Sequence, residues 1–138
     1  MKARITATAL DGLAAKLDSI GKDEEIVKRA LFDGAKILAD QVRSNLEGVL
    51  SGNSTGELSK SLGISDMRTS GGIADVLVGF DGYDSKGTAN ALKARALESG
   101  TSKQDKRPFM RPAINSTKSA VQRKMMETLT EELEKKIK

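Results

Sequence analysis

The chain of 138 residues has no cysteine, no histidine and no tryptophan, only two prolines, and only four aromatic side chains, Phe32, Phe80, Tyr83 and Phe109. Without cysteine there is no disulfide, no thiolate nucleophile and no cysteine-type zinc site. Without histidine the usual general base near neutral pH is missing, and Ser-His-Asp and Cys-His arrangements cannot be assembled. Only carboxylate sites for hard cations remain open to a metal. No stretch approaches the ~20 apolar residues of a membrane span, and the N-terminus MKARITATALDGL lacks the apolar core of a secretion signal, so a soluble protein made in the cytoplasm is expected. With so few aromatics, the core must be built from Leu, Ile, Val, Ala and Met. The length suits one domain over residues 1–138, large enough to bury roughly 68–70% of the surface its unfolded form exposes.

Charge is unevenly spread. The net charge is +4, with 23 basic and 19 acidic residues. Residues 1–50 hold eight of each sign, residues 51–100 hold five basic and six acidic, and residues 101–138 hold ten basic and five acidic. The positive excess therefore lies in the last third. A basic excess points to nucleic acid or an acidic partner, set against the plainer reading of a solvated surface.

Hydrophobic spacing predicts the elements. Leu10, Leu13, Leu17 and Ile20 recur at steps of three and four, one face of a helix over 8–20 that Gly21 would end. Asp23 can cap a second helix, with Glu24 and Glu25 at its positive end. Its apolar stripe, from Ile26 through Leu31, Leu38, Val42 and Leu46 to Val49, is long enough to lie along a sheet or a neighbouring subunit. The SGNSTG stretch, residues 51–56, breaks the pattern. Residues 59–68, with Leu62 and Ile64 inward, and residues 73–80, with Ala74, Val76, Val78 and Phe80 inward, read as an antiparallel hairpin turning at 69–72. Residues 2–9 offer an edge strand with Ile5 inward. A short helix is predicted over 89–98, with Leu92, Ala96 and Leu97 inward. A last helix runs from Pro112 to about residue 137, with Ile114, Val121, Met125, Leu129, Leu133 and Ile137 inward and Glu131–Lys135 and Glu132–Lys136 pairs on its surface. Met125 reads as core and Met126 as flank, while Val27 and Val49 leave apolar positions on the flanks that favour self-association. The expected class is α+β: a small antiparallel sheet with a long N-terminal-side helix and a long C-terminal helix on one face, and flexible loops at about 48–57, 81–90 and 99–107. Two strands alone are marginal, so the sheet needs further strands or another subunit.

Several apparent sites fail on spacing. In GYDSKGT, residues 82–88, Lys86 precedes the second glycine, whereas a phosphate loop needs it after. Asp81 and Asp84 lack the alternating oxygen ligands and final Glu of a calcium loop and read as turn formers. The Asn53 and Asn115 sequons mean nothing without secretion. Lys103, Lys106, Arg107 and Arg111 surround Phe109, but one aromatic makes a poor stacking platform for bases, and Arg with an aromatic suits a protein interface better.

Residues 98–114 carry a more specific signal. Glu98-Ser99-Gly100-Thr101, a polar stretch, and then Arg107-Pro108-Phe109-Met110-Arg111-Pro112-Ala113 resemble a motif of a tailed-phage family, the one named after gene product ten of phage HK ninety-seven. Its members read Glu-Phe-Gly-Thr and Pro-Phe-Leu-Arg-Pro-Ala before a long final helix; here Ser99 and Met110 replace the common Phe and Leu. Thr55-Gly56-Glu57-Leu58-Ser59-Lys60-Ser61-Leu62 is similar to the family's approach to its first strand. The resemblance implies a structural virion component and not an enzyme, a neck or tail-completion protein that joins head to tail by forming or docking on a ring around the DNA channel. It implies no cofactor, metal, membrane or small-molecule substrate. It implies partners in copies of itself, a hexamer being one ring size, and in other neck or tail proteins, with DNA nearby. Glu98, Gly100, Thr101, Arg107, Pro108, Phe109, Arg111 and Pro112 form the implied interface motif, with Gly100 as the turn and Phe109 as the buried anchor. Thr55, Gly56 and Leu58 lead into the strand. The alternative is a small basic nucleic-acid-binding protein.

Overall fold

The computed structural model describes residues 2–6, 24–50, 56–70 and 73–137. In order these form β1 (Lys2–Thr6), α1 (Glu24–Val49), α2 (Glu57–Lys60), β2 (Leu62–Ile64), β3 (Arg68–Ser70), β4 (Ile73–Phe80), α3 (Asn90–Ser99) and α4 (Met110–Ile137). The class is α+β, with one antiparallel sheet and a helical layer. The helix expected over 8–20, the Asp23 cap and the 71–72 turn lie outside the described residues.

β4 is the centre of the sheet. It pairs with β1 on one side, in the register Ala3 with Val78 and Ile5 with Val76. On the other side it pairs with β2 (Leu62 with Phe80) and with β3 (Arg68 with Asp75). Strict alternation puts Val76, Val78 and Phe80 of β4, Ala3 and Ile5 of β1 and Leu62 of β2 in the core. The expected edge strand and hairpin are both present. The predicted strand over 59–68 is broken up: Gly56 at φ +80° starts the single helical turn α2, whose Leu58 is buried, and only then does β2 begin. On the outer face, Asp75 is held between Arg68 at 3.3 Å and Arg4 at 3.6 Å, cross-strand pairs that compensate a largely buried carboxylate.

α1 lies against the inner face of the sheet and α4 runs antiparallel beside α1. Contacts mark the register along both helices: Asn45 meets Phe109, Gly34 meets Val121 and Met125, Asp33 accepts a 2.8 Å bond from the Thr128 hydroxyl, and Arg29 meets Glu132 at 2.7 Å. The α1 stripe is inward as predicted, and Ala35 and Ala39 join it. Val27 and Val49 are half-buried and pack on the core, so they are not free apolar flanks.

Two helix faces differ from expectation. In α3 the inward residues are Asn90 and Ala94, with Leu97 half-buried, while Leu92 is 61% exposed. Positions 90, 94 and 97 share one face at steps of four and three, and Leu92 falls off it. In α4 the helix starts at Met110, two residues before Pro112, and Ala113 and Thr117 take the seam that Ile114 was expected to fill; Ile114 is 38% exposed. Thr117 can be buried because its hydroxyl donates to the Ala113 carbonyl at 2.7 Å. Val121, Met125 and Leu129 are inward as predicted, and Met126 is an exposed flank. Glu132 bonds Arg29 across the helices and Lys135 at 3.4 Å, so Lys135 reaches Glu132 and not Glu131. No helix among the described residues is long and apolar enough to cross a membrane.

Candidate functional site

The segment singled out by its motif is a clasp that ties three helix ends together. It starts where α3 stops. Gly100 has φ +79°, and a Cβ there would lie 3.0 Å from the Lys106 nitrogen and 3.1 Å from the Gln104 carbonyl oxygen, so only glycine makes this turn without strain. The chain then doubles back. Thr101 and Gln104 exchange backbone bonds of 2.8 and 3.3 Å, and the Thr101 hydroxyl accepts a 3.2 Å bond from the Lys103 amide. The Gly100 amide donates to the Ala96 carbonyl at 2.8 Å and the Arg107 amide to the Leu97 carbonyl at 2.6 Å, which satisfies two of the four C-terminal acceptors of α3.

Glu98 performs the matching task for α4. The first four amides of a helix have no partner inside it. Here the carboxylate of Glu98 accepts three of them: Phe109 at 2.6 Å and Met110 at 2.9 Å on Oε2, and Arg111 at 2.9 Å on Oε1. The fourth position is Pro112, which has no amide to satisfy. The first bond internal to the helix follows at once, from the Ala113 amide to the Phe109 carbonyl. A negative charge at this end also complements the helix dipole. Burial pushes the Glu98 carboxyl up, but the amides of Phe109, Arg111 and Met110 and the charge of Arg111 outweigh it, so the group sits below the usual glutamate range.

Phe109 and Arg107 lock the clasp to the rest of the fold. Phe109 is fully buried and meets Phe80 edge to face at 5.8 Å between centroids, so its ring fills this chain's own core. Its carbonyl also accepts a 3.1 Å bond from Asn45, which Gln41 holds in place at 2.8 Å. The Arg107 guanidinium donates at 3.3 Å to the carbonyl of Val49, the last residue of α1, where a cation suits the negative helix end. Asn45, Gln41 and the Val49 carbonyl were not foreseen; their one trace in the sequence is a polar pair four apart beside the apolar stripe. Pro108, Arg111 and Pro112 are exposed around the start of α4. Thr55 lies outside the described residues, while Gly56 and Leu58 form the turn before β2, away from the clasp's hydrogen bonds. Lys103, Lys106 and Arg111 are exposed with one carboxylate, Asp105, among them, so the outer surface of the clasp is basic on balance.

The 81–90 loop is a hydrogen-bonded turn. One Asp84 oxygen accepts from Lys86 and Thr88 amides at 2.9 and 2.8 Å, the other pairs with Lys93 at 3.0 Å, and these partners, Lys93 first, lower its pKa. Asp84 is thus the turn former expected of it. Among the described residues no cluster of acidic side chains could hold a metal ion.

Comparison with known protein families matches residues 11–100, well over half of the chain, to the family described as "Bacteriophage HK97-gp10, putative tail-component". Comparison with curated proteins and with solved structures finds no match.

Proposed function

The chain belongs to the bacteriophage HK97-gp10 tail-component family and so has a structural role in a phage virion, and within that role we propose that it is a neck or tail-completion protein. It would join head to tail by forming, or docking on, a ring around the DNA channel, without catalysis. Copies of itself and other neck or tail proteins would be its partners, and a hexamer is one ring size that fits. A ring requires head-to-tail interfaces that close by rotation.

The observation that carries this reading is the clasp. Glu98, Gly100, Phe109 and Pro112 are spent on fixing a loop, while Thr101, Lys103, Lys106 and Arg111 are left exposed on it. A hydrogen-bonded, exposed loop with basic side chains on a domain-sized scaffold is suited to contact a neighbour, or the DNA passing beside it. The test is complementation of a phage lacking this gene. Loss of the protein should yield filled heads and separate tails, and Lys103→Glu with Lys106→Glu should reproduce that defect while the protein still folds. Normal numbers of tailed particles without the protein would sink the proposal.

A further inference from the structure

We propose that the groove beside the edge of β1 that no strand among the described residues covers takes an extended acidic segment of a different protein, added to the sheet as a further strand. The groove, of about 440 Å³, lies between β1 and the first half of α4. Lys2, Ala3, Arg4 and Ile5 all line it. Consecutive strand residues point to opposite faces, so a cavity that touches all four meets the strand edge-on. The sheet order puts β1 at an edge and β4 pairs with its other side, so alternate amides and carbonyls of β1 face the groove with no strand partner among the described residues. Leu38, Val121 and Met125 supply an apolar floor, and Ile114, 38% exposed, stands at the rim. Backbone partners along an edge and pockets for alternate side chains are the two requirements of strand addition.

Charge selects the occupant. Lys2, Arg4 and Lys118 rim this groove, and it continues past Ile114 and Asn115 into a hollow of about 600 Å³ lined by Lys106 and Arg111. Asp75 neutralises part of Arg4 from the outer face. Glu98 is the one carboxylate among the lining residues, and its oxygens are taken by backbone amides. An acidic strand with alternate apolar residues complements both floor and rim. A strand of a second copy does not: the described strands read KARIT, LGI, RTS and IADVLVGF, with a single carboxylate, Asp75, already held by two arginines. Duplex DNA could meet the cations but would leave the apolar floor and the strand edge unused. The inference stands apart from ring formation and holds whether or not the chain closes a ring.

The test uses the full chain with three labelled probes: a short peptide alternating Glu and Val, one alternating Lys and Val, and a duplex oligonucleotide. The Glu peptide should bind about tenfold more tightly than the Lys peptide at low salt, a preference that shrinks as salt screens the rim. Alternate amides of β1 should then exchange more slowly. Lys118→Glu should abolish the preference, and Ile114→Asp should weaken binding of the Glu peptide several-fold, both in proteins whose circular dichroism is unchanged. Equal binding of the two peptides, a preference that survives Lys118→Glu, protection confined to elements other than β1, or displacement of the Glu peptide by a tighter-binding duplex would each overturn the proposal.

Discussion

Three amides at the start of α4 converge on one carboxylate from a different helix, and this makes Glu98 the residue through which the 99–109 loop can be loosened without touching the core. Glu98→Ala leaves those amides to water and is expected to lower stability by about 2 kcal/mol, in the range of lost helix caps and charged hydrogen bonds, as read by urea unfolding. Glu98→Gln keeps an acceptor but no charge and should fall between. The same contacts set a pH response. The folded pKa of Glu98 is below its unfolded value, so its contribution is complete above the ordinary glutamate range near ~4.3, and declines as pH falls through the folded value. Comparing the unfolding midpoints of the native chain and Glu98→Gln from pH 7 downward should show a gap that closes on acidification. A gap independent of pH would show that the charge has no part in the cap. Phe109 belongs to another category. It is fully buried against Phe80, so Phe109→Ala should cost about 3–5 kcal/mol and unfold a marginal domain, whereas Phe109→Leu should keep the fold at a smaller loss. Both residues could be singled out from the sequence because they lie in the stretch that resembles the phage family's motif. Their tasks could not, because Glu98 lies eleven residues before the amide it caps, and no local propensity reports a contact at that separation.

Helix against helix, α1 and α4 approach closely at Gly34. A Cβ there would fall 2.7 Å from Met125 Cγ and 3.1 Å from Val121 Cγ1, which is why a helix-weakening residue sits in the middle of α1. Two opposing effects then decide Gly34→Ala: about 1 kcal/mol gained in helix propensity, and a larger loss from overpacking the seam. The substitution should destabilise the native chain and stabilise a Met125→Ala background, where the nearer obstructing side chain is gone and Val121, at 3.1 Å, has room to give. A thermal-unfolding double-mutant cycle reads that reversal of sign, and additivity would refute the close approach. Period and alternation made α1, β1 and β4 legible, since in each the buried face is apolar throughout. They misplaced α3 and the first turns of α4 because the buried positions there are Asn90, Ala94, Ala113 and Thr117, residues that hydropathy does not mark. Thr117 is tolerated inside through a bond to the Ala113 carbonyl one turn back in α4, and Asn90 through its Nδ2 bond to the Asp81 carbonyl, although its buried Oδ1 has no partner among the described residues.

For the molecule as a whole, the uneven charge bears on the proposed place beside DNA. The total of +4 is small, but the last third carries ten basic residues to five acidic ones. The structure divides that excess further. Arg107 is engaged at the end of α1, whereas Lys103, Lys106 and Arg111 are exposed together on the clasp. Three clustered cations can neutralise about three phosphates, so the affinity of the isolated chain for duplex DNA should be low, with a slope of log affinity against log salt of about −3. Lys103→Glu with Lys106→Glu should shrink that slope by about 2 and leave the sedimentation of the chain alone unchanged, because neither side chain is needed to fold. A lining that faces DNA in a channel needs no more than this, since the surrounding assembly supplies the contact. A nucleic-acid-recognising protein would need many more phosphate contacts, and a slope near −8 would favour that reading over a neck role. The basic third would then be the binding face itself.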